Sequence, residues 1–180
     1  MEALKVRKDI LIVAFIVLLL AVVFSGTKIQ SVEEYYITHI DDITEESETV
    51  FISIDASTIL DNWEELDPAL QSEKYVPDDG VILEKTEYVL RPGDTVFDIL
   101  KRTVRHNQIH MEYQGADENV YKSAYIQGIH HLYEFSAGPL SGWMYAVNGE
   151  FPDSGVSKYK LEDGDEIEFM YTVDLGRDLR

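Results

Sequence analysis

Five histidines are the first residues in this chain that could do chemistry, because imidazole binds metal ions and moves protons near neutral pH. His130 and His131 form the one close pair. On a strand, adjacent side chains face opposite sides, so this pair would not converge on one ion. His106 and His110 flank a loop and lack HExxH spacing. Asp163, Asp165, Glu166 and Glu168 crowd carboxylates of the kind calcium takes, but without EF-hand spacing, and Asp163-Gly164 is ordinary turn chemistry. Ser141-Gly142 lies in no G-x-S-x-G frame, and no spacing selects a carboxylate pair for glycoside hydrolysis. We therefore expect no metal, no cofactor and no enzyme activity.

A binding role rests instead on aromatics. The stretch LSGWMYAVNGEFP, residues 140–152, sets Trp143, Tyr145 and Phe151 around an Asn148-Gly149 turn, with Tyr159 farther on. If residues 143–147 are a strand, Trp143, Tyr145 and Val147 share one face, and Met144 and Ala146 share the other. Either face could meet the core. We take the assignment in which Met144 and Ala146 supply the core. Trp143 and Tyr145 would then line a ligand-binding surface, with Phe151 and Tyr159 as neighbours, because rings give large contact area at low entropic cost.

The elements that would position these residues are short. VFISID, residues 50–55, reads as a first strand; Ser57 then stands where a cap belongs, with Ile59, Leu60, Trp63 and Leu66 at helical spacing before Pro68. A second extended run covers residues 81–90. In RPGDTVFDILKRTVRHN, Pro92-Gly93 turns the chain, and Val96, Leu100 and Val104 recur with Phe97 and Ile99 beside them, which predicts a helix from Thr95 to about His106. Residues 125–126, 143–147 and 167–172 read as further strands, with Asn148-Gly149 and Asp163-Gly164 as tight turns. Strands, one main helix and more strands predict an α+β domain.

Ahead of this domain, Lys5, Arg7 and Lys8 precede an unbroken apolar run from Ile10 to Phe24. Extended through Thr27, a helix here would reach about 27 Å at ~1.5 Å per residue, close to a bilayer core of about 30 Å. Residues 1–27 are thus a membrane anchor or a cleaved signal peptide. Either way the basic flank stays in the cytoplasm and sends the rest outside, as a single-pass membrane protein or a secreted one. Residues 28–48 form an acidic spacer with a short strand at 35–37, and residues 49–180 form the domain. The balance of 34 acidic against 15 basic residues, a net charge of −19, opposes binding to nucleic acid, which needs clustered cations. Cysteine is absent. That removes disulfides, thiolate metal sites and a lipid-modified cysteine together.

RPGDTVFDIL, SGWMYAVNGEFP, GVSKYKLEDGDEIEF and YTVDLGRD occur in this order. In that combination residues 49–178 resemble the transcobalamin C-terminal-like family, a domain of unknown function in surface proteins of Gram-positive bacteria. The resemblance implies a β-grasp-like mixed sheet packed on one main helix. In vitamin B12 carriers the similar domain closes over the corrinoid as the smaller of two. This chain lacks the large helical domain of those carriers. It also has Ala56, Ala137, Val156 and Val173 where many bacterial relatives carry cysteines nearby, which implies a missing disulfide. The expected function is a membrane-tethered extracytoplasmic ligand-binding module of the bacterial cell surface, for a corrinoid or another small flat ligand. The alternative is a protein-interaction or adhesion module whose partner is a surface protein.

Overall fold

A computed structural model describes residues 13–17 and 41–179. The chain divides into two compact units, Met1–Asp41 and Asp42–Arg180. In the first, residues 13–17 are helical with exposed side chains. The rest of the anchor or signal segment, and the strand expected at 35–37, lie outside the described residues. Among the described residues no helix is long and apolar enough to cross a membrane.

The second unit is α+β. Its main sheet runs β2-β1-β7-β6, with β1 at Thr49–Asp55, β2 at Val81–Val89, β6 at Gly142–Val147 and β7 at Glu166–Thr172. β1 and β7, the first and last strands among the described residues, lie side by side in parallel, and each pairs antiparallel with its outer neighbour. Alternation explains which face is covered: Val50, Ile52 and Ile54 of β1 and Ile167 and Phe169 of β7 are buried in one apolar cluster.

Helix α1, Val96–His106, supplies the other half of that cluster through Val96, Phe97, Ile99, Leu100 and Val104. Its start is specified locally. Thr95 and Asp98 form a capping box, in which the Asp98 N–H donates to Thr95 Oγ1 and the Thr95 N–H to Asp98 Oδ2. Partial burial pushes the Asp98 carboxyl up, but the Thr95 hydroxyl and N–H, both donating to Asp98 Oδ2, and the Lys101 ammonium together hold it below its usual range.

A second, smaller sheet has the order β3-β4-β5, formed by Met111–Gln114, Tyr125–Ile129 and Leu132–Tyr133. Of these the sequence predicts only the start of β4. The helix expected after Ser57 is a 3-10 helix, Ser57–Glu65, kinked at Asn62 and capped at Ala56 without a side-chain bond. Ser57 does not cap because its N–H and hydroxyl both donate to Asp55 Oδ1, at 2.9 and 2.6 Å. Gly80 closes against this point: its φ is 77°, its carbonyl accepts from the Ala56 N–H at 2.8 Å, and a Cβ there would strike the Ser57 backbone.

The positions where relatives of the resembled family carry cysteines are filled with packed apolar side chains. Ala56 and Ala137 are buried in a second cluster around Tyr171, with Val173 against it, and Val156 belongs to the main cluster.

Candidate functional site

The structure overturns part of the face assignment made for the aromatic stretch: Ala146 is fully buried as expected, but the half-buried Trp143 and Tyr145 also meet the core. Trp143, Tyr145 and Val147 point toward the main core cluster. Trp143 sits edge-on to Tyr171, with ring centroids 5.2 Å apart, and its Nε1–H donates to the Leu132 carbonyl at 2.7 Å. Tyr145 stacks on Phe169 at 6.0 Å and meets Tyr159 edge-on at 6.5 Å. Its hydroxyl donates to the Ser154 carbonyl, and burial pushes the phenol pKa up. The reason is steric and polar together. Trp143 fills space between the main sheet and the β4–β5 hairpin and Tyr145 space beside the 154–159 segment, and in both places the polar atom finds a carbonyl acceptor. The opposite face of β6 presents Met144, against which Gly176 of the C-terminal turn lies closely.

Two clefts nevertheless border this stretch, and they meet at Tyr125. One, of about 510 Å³, is lined by Tyr121, Ala124, Tyr125, Pro152, Asp153 and Lys158. The other, of about 340 Å³, is lined by Tyr125, Glu134, Phe135, Leu140, Trp143 and Leu175. Of the four aromatics singled out in the sequence, Trp143 lines the second cleft; Tyr145, Phe151 and Tyr159 line neither.

The residues that do present apolar surface here went unnoticed in the sequence. Tyr121, Phe135 and Leu175 are 68%, 63% and 59% exposed, far beyond what core packing would leave. Tyr121 and Tyr125 stack with centroids 6.3 Å apart and planes 25° apart, a preformed aromatic platform. The Tyr125 hydroxyl donates to Glu134 Oε2 at 2.5 Å; desolvation first and the Glu134 carboxylate second push its pKa up to about 12. Lys158 Nζ donates to the Tyr121 carbonyl at 2.8 Å, which fixes the rim of the larger cleft.

Backbone strain gathers at the same place. Lys122, Phe135 and Leu175 hold φ of 53°, 66° and 53°, a left-handed conformation that costs a side-chain-bearing residue roughly 1–2 kcal/mol. Phe135 is held there by its N–H donating to the Ser141 carbonyl at 3.0 Å, and Leu175 by donating to the Leu140 carbonyl at 3.1 Å. Strain of this kind concentrates at ligand-contacting sites. A larger recess of about 600 Å³ lies around Trp63 and the loop from Ser72 to Asp78, but its one exposed large apolar side chain is Leu60, at 38%. Among the described residues no group of three or more His, Asp or Glu side chains is placed to hold a metal ion.

Residues 93–173, from the turn before α1 to the end of β7, match the family described as a domain of unknown function (DUF4430). Most of the motifs that carry the transcobalamin-like resemblance fall inside this span. Two solved structures are similar in overall path. One is a protein from Ruminococcus gnavus ATCC 29149 described as a proposed metal binding protein, at 10% identity and a TM-score of 0.43, covering 69% of this chain and 96% of its own. The other is haptocorrin in complex with Cbi, at 12% identity and a TM-score of 0.49; the alignment covers 74% of this chain and about a quarter, 27%, of haptocorrin. No curated protein matches.

Proposed function

We propose that this chain is an extracytoplasmic ligand-binding module, tethered through its N-terminal apolar segment, whose paired clefts around Tyr125 take a small, flat, partly apolar molecule. The observation that carries this is the exposed platform of Tyr121 and Tyr125 beside Phe135, Leu140 and Leu175. A flat ligand stacks on such rings and buries apolar area that otherwise faces water. The carboxylates of Glu134 and Asp153 and the chain's net charge of −19 disfavour an anionic ligand. The outside location rests on Lys5, Arg7 and Lys8 ahead of the run from Ile10 to Phe24. We read the module as non-enzymatic.

Cobinamide is the first probe, since the motif resemblance points to corrinoids. Binding is expected to raise the melting temperature of the full chain, and Tyr125→Ala is expected to abolish the rise. If cobinamide and a panel of flat uncharged ligands leave it unmoved, while a surface protein binds the same aromatics, the platform is an adhesion surface instead.

A further inference from the structure

The β4–β5 hairpin turns through His130 and His131, which hold φ of 52° and 66° between the paired residues Ile129 and Leu132. Asparagine and glycine are the favoured residues of such a two-residue turn; histidine enters the left-handed region less readily than either. The rings tie three segments together. His131 stacks on His110, from the loop ahead of β3, with centroids 4.2 Å apart and planes 11° apart, and Tyr75 meets His131 edge-on at 5.6 Å. The His130 N–H donates to the His110 carbonyl at 2.7 Å, and its Nε2 lies 3.0 Å from the Lys74 carbonyl.

Few charges face this cluster. Glu112 Oε1 lies 3.5 Å from His110 Nε2 and accepts from the Tyr133 hydroxyl at 2.8 Å. Lys74 Nζ lies over the Tyr75 ring at 4.8 Å. With Nε2 toward the carboxylate, the proton of neutral His110 belongs there, and Nδ1 is enclosed without a partner. Nearly parallel rings also keep their in-plane lone pairs from converging, so the stack is not a chelate.

We propose that the His110–His131 stack is an acid-sensitive latch: closed while His131 is neutral, it opens when that ring takes a proton and frees the hairpin that carries Tyr125 and Glu134 into the clefts. A charge on the His131 ring is better solvated away from the faces of His110 and Tyr75 that pack on it. The direction of basicity agrees. His131 is lowered by desolvation first and by His110 and His130 next, and His130 by desolvation and then His110. For a histidine lowered in the folded state, the unfolded chain binds more protons below its ordinary value of about 6.5, so stability falls as pH drops through that value toward the folded one. Only the effect on ligand rests on the cleft being a binding site; the latch itself does not.

Amide hydrogen exchange of the full chain, corrected for intrinsic rate and read at residues 129–134 against α1, tests the latch without ligand. Between pH 7.5 and 5.0 the hairpin is expected to open at least about twofold more, with α1 unchanged. In His131→Asn, which suits the turn and carries no charge, that response is expected to shrink to the part His130 supplies; His110→Gln, which removes the stacking partner, is the second variant should the first fail to fold. A hairpin that responds to acid equally in wild type and variants overturns the latch. Cobinamide affinity at the two pH values is a separate arm: equal affinity with an opened hairpin overturns the coupling alone, and no binding at either pH counts against the cleft while exchange still decides the latch.

Discussion

The indole N–H of Trp143 donates to the main-chain carbonyl of Leu132, 2.7 Å away, and so joins the edge strand of the main sheet to the small hairpin sheet. The bond makes Trp143 a structural residue that also walls a cleft. Trp143→Phe keeps most of the ring and removes the donor, leaving the Leu132 carbonyl without it. It is expected to cost about 1–3 kcal/mol in urea denaturation. A loss of less than half that would mean the carbonyl finds water.

Leu100 and Lys101 are neighbours on α1 with opposite fates. Leu100 is fully buried, and Leu100→Ala is expected to cost about 2–5 kcal/mol. Lys101 pairs with Asp98 at 3.0 Å in the open, so Lys101→Ala is expected to cost no more than about 0.5 kcal/mol. Chemical denaturation of both variants checks the helix face directly.

That helix face is legible because Val96, Leu100 and Val104 repeat at helical spacing and Thr95-x-x-Asp98 caps their start. The four strands of the main sheet are legible for the same reason, by local alternation and turn residues. The small sheet is not. Met111 to Gln114 alternates, Met111 and Tyr113 against Glu112 and Gln114, but over only four residues and with no turn signal beside it, and His130-His131 reads as strand because neither residue announces a left-handed turn. The alternation of Trp143 with Met144 is visible in the sequence, but which side meets the core depends on the hairpin that packs there. The cleft assembles residues 121–125, 134–140 and 175, whose proximity no local pattern encodes, and the left-handed Phe135 is invisible in a residue type that rarely adopts it.

If the proposed topology holds, residues 28–180 lie outside the membrane. Protease added to intact cells is then expected to digest the acidic spacer or the domain beyond it. Protection until lysis would place the domain inside.

Tyr125 offers a spectroscopic handle. With its phenol pKa pushed up to about 12, it is expected to ionise later than ordinary tyrosines, near 10, in an alkaline absorbance titration, and Tyr125→Phe should remove one phenol's amplitude from the late-ionising group. The sign for stability follows. The folded state keeps its proton where the unfolded chain has lost it, so the contribution is intact below pH 10 and declines as pH rises toward 12. Tyr133, Tyr145 and Tyr171 are shifted the same way, so the variant should soften the alkaline loss without abolishing it.

Phe135 separates stability from binding most sharply. Its ring is 63% exposed and its φ is 66°, so the fold gains little from the side chain and bears the strain of placing it. Phe135→Gly removes both at once. Glycine occupies that conformation freely, which is expected to return up to about 1 kcal/mol, reduced by glycine's greater freedom in the unfolded chain. Melting temperature should therefore hold or rise. If the ring is part of the proposed recognition surface, affinity for the cleft's ligand should fall by more than about 1 kcal/mol in the same variant, the signature of a residue kept for contact rather than for packing. A clear drop in melting temperature would instead show that Phe135 is pinned by contacts that outweigh its backbone strain, and the cleft would lose one of its walls as a binding element.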